Sequence, residues 1–199
     1  MADTKISAMP NATTPLTGAE LVPLVQGGVN VKSTISGIAQ YNNSNFSNYG
    51  AFSSSVDQTG SISAGTAMTF NSTDITDGVT LASGTRLTVP VNGTYNVQFS
   101  AQLENIENSQ HDATIWFRVN GTDVTNSATQ ITVPARKSAN VYGYAVASWN
   151  IFLDLTAGQY VEIIWLPTVA TLTLQHLPAG VSPVYPAIPS VIATVSQVG

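Results

Sequence analysis

From residue 51 to the end of the chain, hydrophobic and polar positions alternate with a period of two, most clearly from Tyr95 to Leu103. There Tyr95, Val97, Phe99, Ala101 and Leu103 share one face and Asn96, Gln98, Ser100 and Gln102 the other, the pattern of a strand with one side buried. Ala113 to Val119 repeats it, with Ile115, Phe117 and Val119 on one face and Thr114, Trp116 and Arg118 on the other. Asn120-Gly121 then predicts a tight turn, because both residues tolerate left-handed backbone. Two further strands flank Thr156-Ala157-Gly158-Gln159: Trp149, Ile151, Leu153 and Leu155 mark the first, and Tyr160 to Leu166, apolar enough for burial on both faces, the second. Val191 to Val198 is again β-branched and apolar, after a proline-rich loop holding Pro178, Pro183, Pro186 and Pro189, and reads as a central strand. No stretch carries the helical period over a useful length, so the pattern predicts an all-β sandwich or jelly roll.

The start of the chain reads differently. Residues 1–40 are punctuated by Pro10, Pro15 and Pro23, and their one extended apolar run, Leu21 to Val25, stops at Gly27-Gly28. That predicts a short hairpin with little core of its own. Residues 41–50, YNNSNFSNYG, have neither helical nor strand periodicity and the composition of a linker. The expected organisation is a small module over 1–40, a linker over 41–50 and a β head over 51–199.

Composition narrows the function classes. Charged residues are 9% of the chain, against about 25% in an average domain. The net charge is −5, and the 6 bases are scattered, which excludes a surface built to neutralise a nucleic-acid backbone. With no cysteine there is no disulfide framework, thiolate zinc site or cysteine nucleophile, and stability must come from packing and assembly. The opening Met-Ala-Asp-Thr-Lys lacks the apolar stretch of a secretory signal, and no apolar run is long enough for a bilayer, so the expectation is a soluble protein without a membrane partner.

Candidate chemistry is sparse. Glu104, Glu107, His111 and Asp112 form the one cluster of ionisable groups, and they read as a polar loop between two strands, without the third positioned group and pocket that acid/base catalysis needs or the convergent oxygens of a calcium site. His176, alone beside the proline-rich loop, reads as a hydrogen-bonded loop or interface residue. Asp154 and Glu162 are strand-borne carboxylates that nothing in the sequence brings together. No nucleophile elbow or phosphate-binding glycine pattern occurs. The expectation is a protein that is not an enzyme and takes neither cofactor nor metal.

Ala51-Phe52-Ser53, the run Gly84 to Phe99 (GTRLTVPVNGTYNVQF) and Leu153 to Val161 (LDLTAGQYV) resemble, in order and spacing, strands of the complement-head and tumour-necrosis-factor superfamily. That resemblance covers residues 50–199 and implies a jelly roll of about ten strands that forms a compact homotrimer. His111 to Gly121, Ala145 to Asn150 and Pro189 to Val195 resemble structural proteins of tailed bacteriophages. Ile6 to Pro10 and Leu16 to Gly28 resemble the N-terminal segment that ties phage tail-fibre and head-decoration proteins to the particle. Together these imply a capsid decoration or cement protein on the virion surface, synthesised in the host cytoplasm, whose partner is the major capsid protein or another virion component. Leu21, Val22, Leu24 and Val25 are then the attachment residues. The alternatives are a tail-fibre or receptor-binding tip, and a carbohydrate-binding module that takes a host-surface glycan on Trp116, Tyr142 and Tyr144. Trp116 and Phe152 both point opposite to the buried alternation of their strands. The resemblance places Phe152 on the inner sheet facing a threefold axis, with Ile192 and Phe52 beside it, and Trp116 on the other sheet as an outer contact.

Overall fold

The structure, a computed structural model, describes residues 16–38 and 48–199. The chain divides into two units, residues 1–46 and 47–199. Ile6 to Pro10 and most of the YNNSNFSNYG stretch lie outside the described residues, but its last two residues, Tyr49 and Gly50, already belong to the head's first strand.

In the first unit, strands β1 (Leu21–Gln26) and β2 (Val29–Thr34) pair antiparallel. Gly27 and Gly28 join them at φ of 58° and 79°, the left-handed pair that a two-residue hairpin turn requires and that glycine adopts without penalty. Glu20 closes the entry to the ribbon: its carboxylate accepts from Thr17 N–H at 2.8 Å, Thr17 Oγ1 at 2.7 Å and Gly18 N–H at 2.8 Å. These donors, those of Thr17 foremost, hold its pKa down at about 2.

The second unit is all-β. Its strands run in order as β3 (Tyr49–Ser54), β4 (Gln58–Thr59), β5 (Thr66–Ala67), β6 (Ser72–Asp77), β7 (Thr80–Ala82), β8 (Arg86–Thr88), β9 (Gly93–Asn105), β10 (His111–Val119), β11 (Thr122–Asp123), β12 (Thr129–Val133), β13 (Gly143–Leu155), β14 (Tyr160–Pro167), β15 (Leu172–Leu174), β16 (Gly180–Val181), β17 (Val184–Tyr185) and β18 (Val191–Gln197). Sheet I runs β6-β3-β18-β9-β13, with β4 and β15 continuing the lines of β3 and β18. Sheet II runs β7-β8-β14-β10-β12, with β5 beside β14 and β11 beside β10. The chain crosses repeatedly between the two sheets, and the result is a jelly-roll sandwich whose strand lines match the expected number.

The alternations read from sequence settle which side of each strand is covered. Tyr95, Val97, Phe99, Ala101 and Leu103 of β9 and Ala113, Ile115 and Phe117 of β10 are all buried between the sheets. Phe99 on sheet I meets Trp149 of β13 at 4.6 Å between ring centroids and Phe117 of sheet II at 5.8 Å, both edge-on, and this aromatic contact stitches the layers together. In β14, Ile163, Ile164 and Trp165 are all buried, so this strand is covered on both faces as its apolar run demands. β18 lies between β9 and β3, a central position for the last strand. Asn120 and Gly121 turn at φ of 47° and 81° between β10 and β11.

Candidate functional site

Residues paired across neighbouring strands share a face, so the register of sheet I defines its solvent side row by row. Phe152 pairs with Asn96, Asn96 with Ser196, and Ser196 with Tyr49. The next row is Asn150, Gln98, Thr194, Ala51 and Ile75, and the one after it Ser148, Ser100, Ile192 and Ser53. Phe152 is 60% exposed, and Tyr49, Ile75, Tyr144, Val146 and Ile192 on this face are exposed as well. Among them stand serines, threonines, asparagines and glutamines, and where Ser100 and Ser148 sit between larger neighbours the surface dips into a shallow depression lined also by Gln98, Ile192 and Thr194. The face is broad and dotted with uncovered apolar side chains, and its exposed carboxylates stand on the two edge strands, Asp77 of β6 beside Tyr49 and Asp154 of β13 two positions from Phe152. The composition between them suits contact with another surface rather than chemistry.

Phe152 and Ile192 therefore lie on this outer face, but Phe52 does not. It is 0% exposed, part of the core between the sheets. The outward positions of β3 are Tyr49, Ala51 and Ser53, and the strand's unbroken alternation turns Phe52 inward, the extra residue of the β3–β6 pairing, Asp74, lying on β6. Phe52 is thus a packing residue, and its place on the face is taken by Tyr49.

Trp116 is half-buried. It projects from the solvent side of sheet II, opposite Ile164, but the loop before β5 covers it. A Cβ on Gly65 would come within 2.5 Å of its ring, so only glycine lets the backbone lie against the indole. Its Nε1 donates to Asp123 Oδ1 at 2.8 Å, and Arg118 Nε reaches the same oxygen at 2.6 Å. Arg118 first and Trp116 second hold the Asp123 carboxyl below the usual carboxylate range. Trp116 is the centre of a small cluster partly covered by a loop on the solvent side of sheet II.

The ionisable cluster is not a loop. Glu104 is the penultimate residue of β9, His111 and Asp112 begin β10, and of the four only Glu107 lies between strands. Asp112 accepts from Gln130 and Thr132 of the neighbouring β12, at 2.7 and 2.6 Å, and so serves the sheet. Glu104 is 7% exposed. Burial pushes its carboxyl up, against the hydrogen bonds from Tyr144 and Gln175 and with the charge of Asp57 adding to the rise. Tyr144 donates its hydroxyl to Glu104 at 3.1 Å. His176 donates its backbone N–H to Asp57 at 2.7 Å. Asp154 bonds Thr94 on sheet I, and Glu162 bonds Thr85 beside Arg86 on sheet II, so the two strand carboxylates stand on opposite sheets. Among the described residues, no three His, Asp or Glu side chains converge on a point where a cation could sit.

In the first unit Leu21, Leu24, Val25 and Val29 are exposed, and Val22 is half-buried. Val22, Leu24, Val31 and Val29 share one face of the ribbon by register. A depression on the ribbon is lined by Leu24, Val25, Gln26, Val31, Lys32 and Ser33, drawn from both of its faces.

No family model and no curated protein matches the chain. Among solved structures, the globular domain of zebrafish complement 1qA protein is similar at 12% identity and a TM-score of 0.44, over 76% of this chain and 98% of that one.

Proposed function

We propose that this chain is a non-enzymatic structural protein of a bacteriophage particle: a homotrimeric capsid decoration or cement protein whose head associates through the outer face of sheet I and whose N-terminal hairpin attaches to the shell. The observation that carries this reading is the uncovered apolar set on sheet I, with Phe152 60% exposed in a sheet whose core side is already complete. Apolar side chains in water gain by being covered, at roughly 25 cal/mol per Å². With no cysteine in the chain, assembly is the remaining way to add stability. The sequence resemblance to phage structural proteins supplies the particle as setting. The exposed Leu21, Leu24 and Val25 on the two-stranded ribbon supply the attachment element. The mechanism is mass action and valency: three hairpins per trimer bind several shell subunits, so weak single contacts combine into tight attachment. A glycan platform is not favoured, because the Gly65 backbone lies against the half-buried Trp116 ring and the Tyr144 hydroxyl is engaged by Glu104.

The test is to add the full chain and its Leu24→Asp variant to particles lacking the protein and measure what sediments with them. Both residue 24 substitution and wild type keep the head intact, since Leu24 lies in the other unit. Wild type is expected to co-sediment and the variant to be lost, because weakening one contact is multiplied over three anchors. Equal binding would remove the hairpin from the attachment role, and no binding by wild type would remove the particle assignment.

A further inference from the structure

The proline-rich segment between β15 and β18 is an arm. β15 and β18 lie on the same flank of β9, where Leu174 pairs with Leu103 and Val191 with Ala101, so they form one strand line with residues 176–189 inserted opposite Gln102. Gln102 bonds both ends of the insertion: its carbonyl accepts from Gln175 N–H at 2.9 Å and its N–H donates to Ser190 O at 2.9 Å. On the other flank Ser54 O accepts from Ser190 N–H and Asp57 from His176 N–H. Neighbours thus close the plane of the sheet on both sides, and the core closes its inner face. The segment can leave only through the outer face, the same face that carries Phe152 and Ile192.

The arm is a built element rather than a slack loop. Leu177 and Ile188 exchange backbone hydrogen bonds at its base, β16 and β17 pair above them, and the Tyr185 ring packs over Gly180. Four prolines limit the freedom it would lose on docking. At its tip Val181 is 89% and Val184 85% exposed, so two hydrophobic side chains are held almost wholly in water. Residues 176–189 contain no Asp, Glu, Lys or Arg.

We propose that this arm is an intersubunit clasp, whose Val181 and Val184 tip seats in the depression between Gln98, Ser100, Ser148, Ile192 and Thr194 on a second copy of the chain. The inference rests on the self-association reading and deepens it. A second copy is the occupant because arm and depression belong to one continuous face, so any association that brings two such faces together brings arms to depressions. Their chemistry also agrees: neither side carries a charge that would have to be desolvated. The flat face alone offers apolar side chains scattered among polar ones. An inserted arm adds area toward the roughly 1,000 Å² that a stable interface buries. A tip on one copy meeting a depression on the next can close reciprocally across a twofold axis or head-to-tail around a ring, and the trimer reading takes the ring.

The chain's lack of cysteine makes the test direct. Two differently tagged full-length chains, one Val184→Cys and one Ser148→Cys, are co-assembled and treated with a short bismaleimide, so that a covalent product carrying both tags forms only in trans. The expected result is that product, together with at least a tenfold rise in the dissociation concentration of a Val181→Asp, Val184→Asp double variant. Its fold is safe, because both valines already face water. An oligomer that forms without the mixed cross-link and tolerates both aspartates would overturn the clasp while leaving self-association standing. A wild-type chain that is monomeric at all concentrations would overturn both.

Discussion

Phe52 and Phe152 lie on opposite faces of the same sheet: one is 0% and the other 60% exposed. Truncating the first leaves a void between the sheets, so Phe52→Ala is expected to lower the stability of the head by about 3–5 kcal/mol in denaturant unfolding. Phe152→Asp removes nothing from the core. It is expected to leave the circular dichroism of the head unchanged while dissociating the oligomer, since it sets a charge in an apolar contact. Glu104 makes a pH-dependent prediction. Its carboxyl is raised by burial, so the folded state holds the proton more tightly than the unfolded chain. Stability is then fully present below the ordinary carboxylate range and declines as pH rises through the elevated pKa. Glu104→Gln keeps an oxygen to accept from Tyr144 and removes the buried charge. Thermal melts are expected to show the variant a few degrees above wild type at pH 7 and level with it at pH 4.

At the scale of elements, the alternation of β9 and β10 was legible because each strand has one wet and one dry face, so residue type reports orientation directly. Asn120-Gly121 was legible for a backbone reason: Gly121 sits at φ 81°, and Gly121→Val is expected to cost about 1–2 kcal/mol in equilibrium unfolding by straining the turn between β10 and β11. The failures share a different cause. Phe52 stands in a short strand among serines, where no long alternation fixes the parity. Trp116 does point away from the core, as its strand parity implies, but its cover comes from Gly65, 51 positions earlier by the numbering, and contact at that separation leaves no local signal. Val146 had the parity of Phe152 in β13 and could have been read with it. Val181 and Val184 could not, because valines in a proline-rich run look the same whether the loop lies down or stands up. Placing Glu104, His111 and Asp112 in a loop failed for length: both strands extend further than their apolar residues alone indicate.

At the scale of the molecule, the jelly roll follows from the chain's patterning, and its function depends on what the fold leaves uncovered. Sheet II has its solvent side tied down by the Trp116 cluster and by Arg86, which pairs with Glu162 at 3.8 Å and stacks 4.5 Å from the Tyr160 ring. Sheet I has the broad face, the arm and, on its strands, the exposed Tyr49, Ile75, Tyr144, Val146, Phe152 and Ile192, where the strands of sheet II expose no large apolar side chain. That asymmetry is the basis for assigning association to sheet I, and everything proposed beyond it, including valency at the shell and the clasp, requires more than one copy. Sedimentation equilibrium of the full chain at micromolar concentration, without metal or ligand, tests this most directly. A single species of about three times 20.8 kDa is the expected result, and a species of 20.8 kDa that persists as concentration rises would contradict the account.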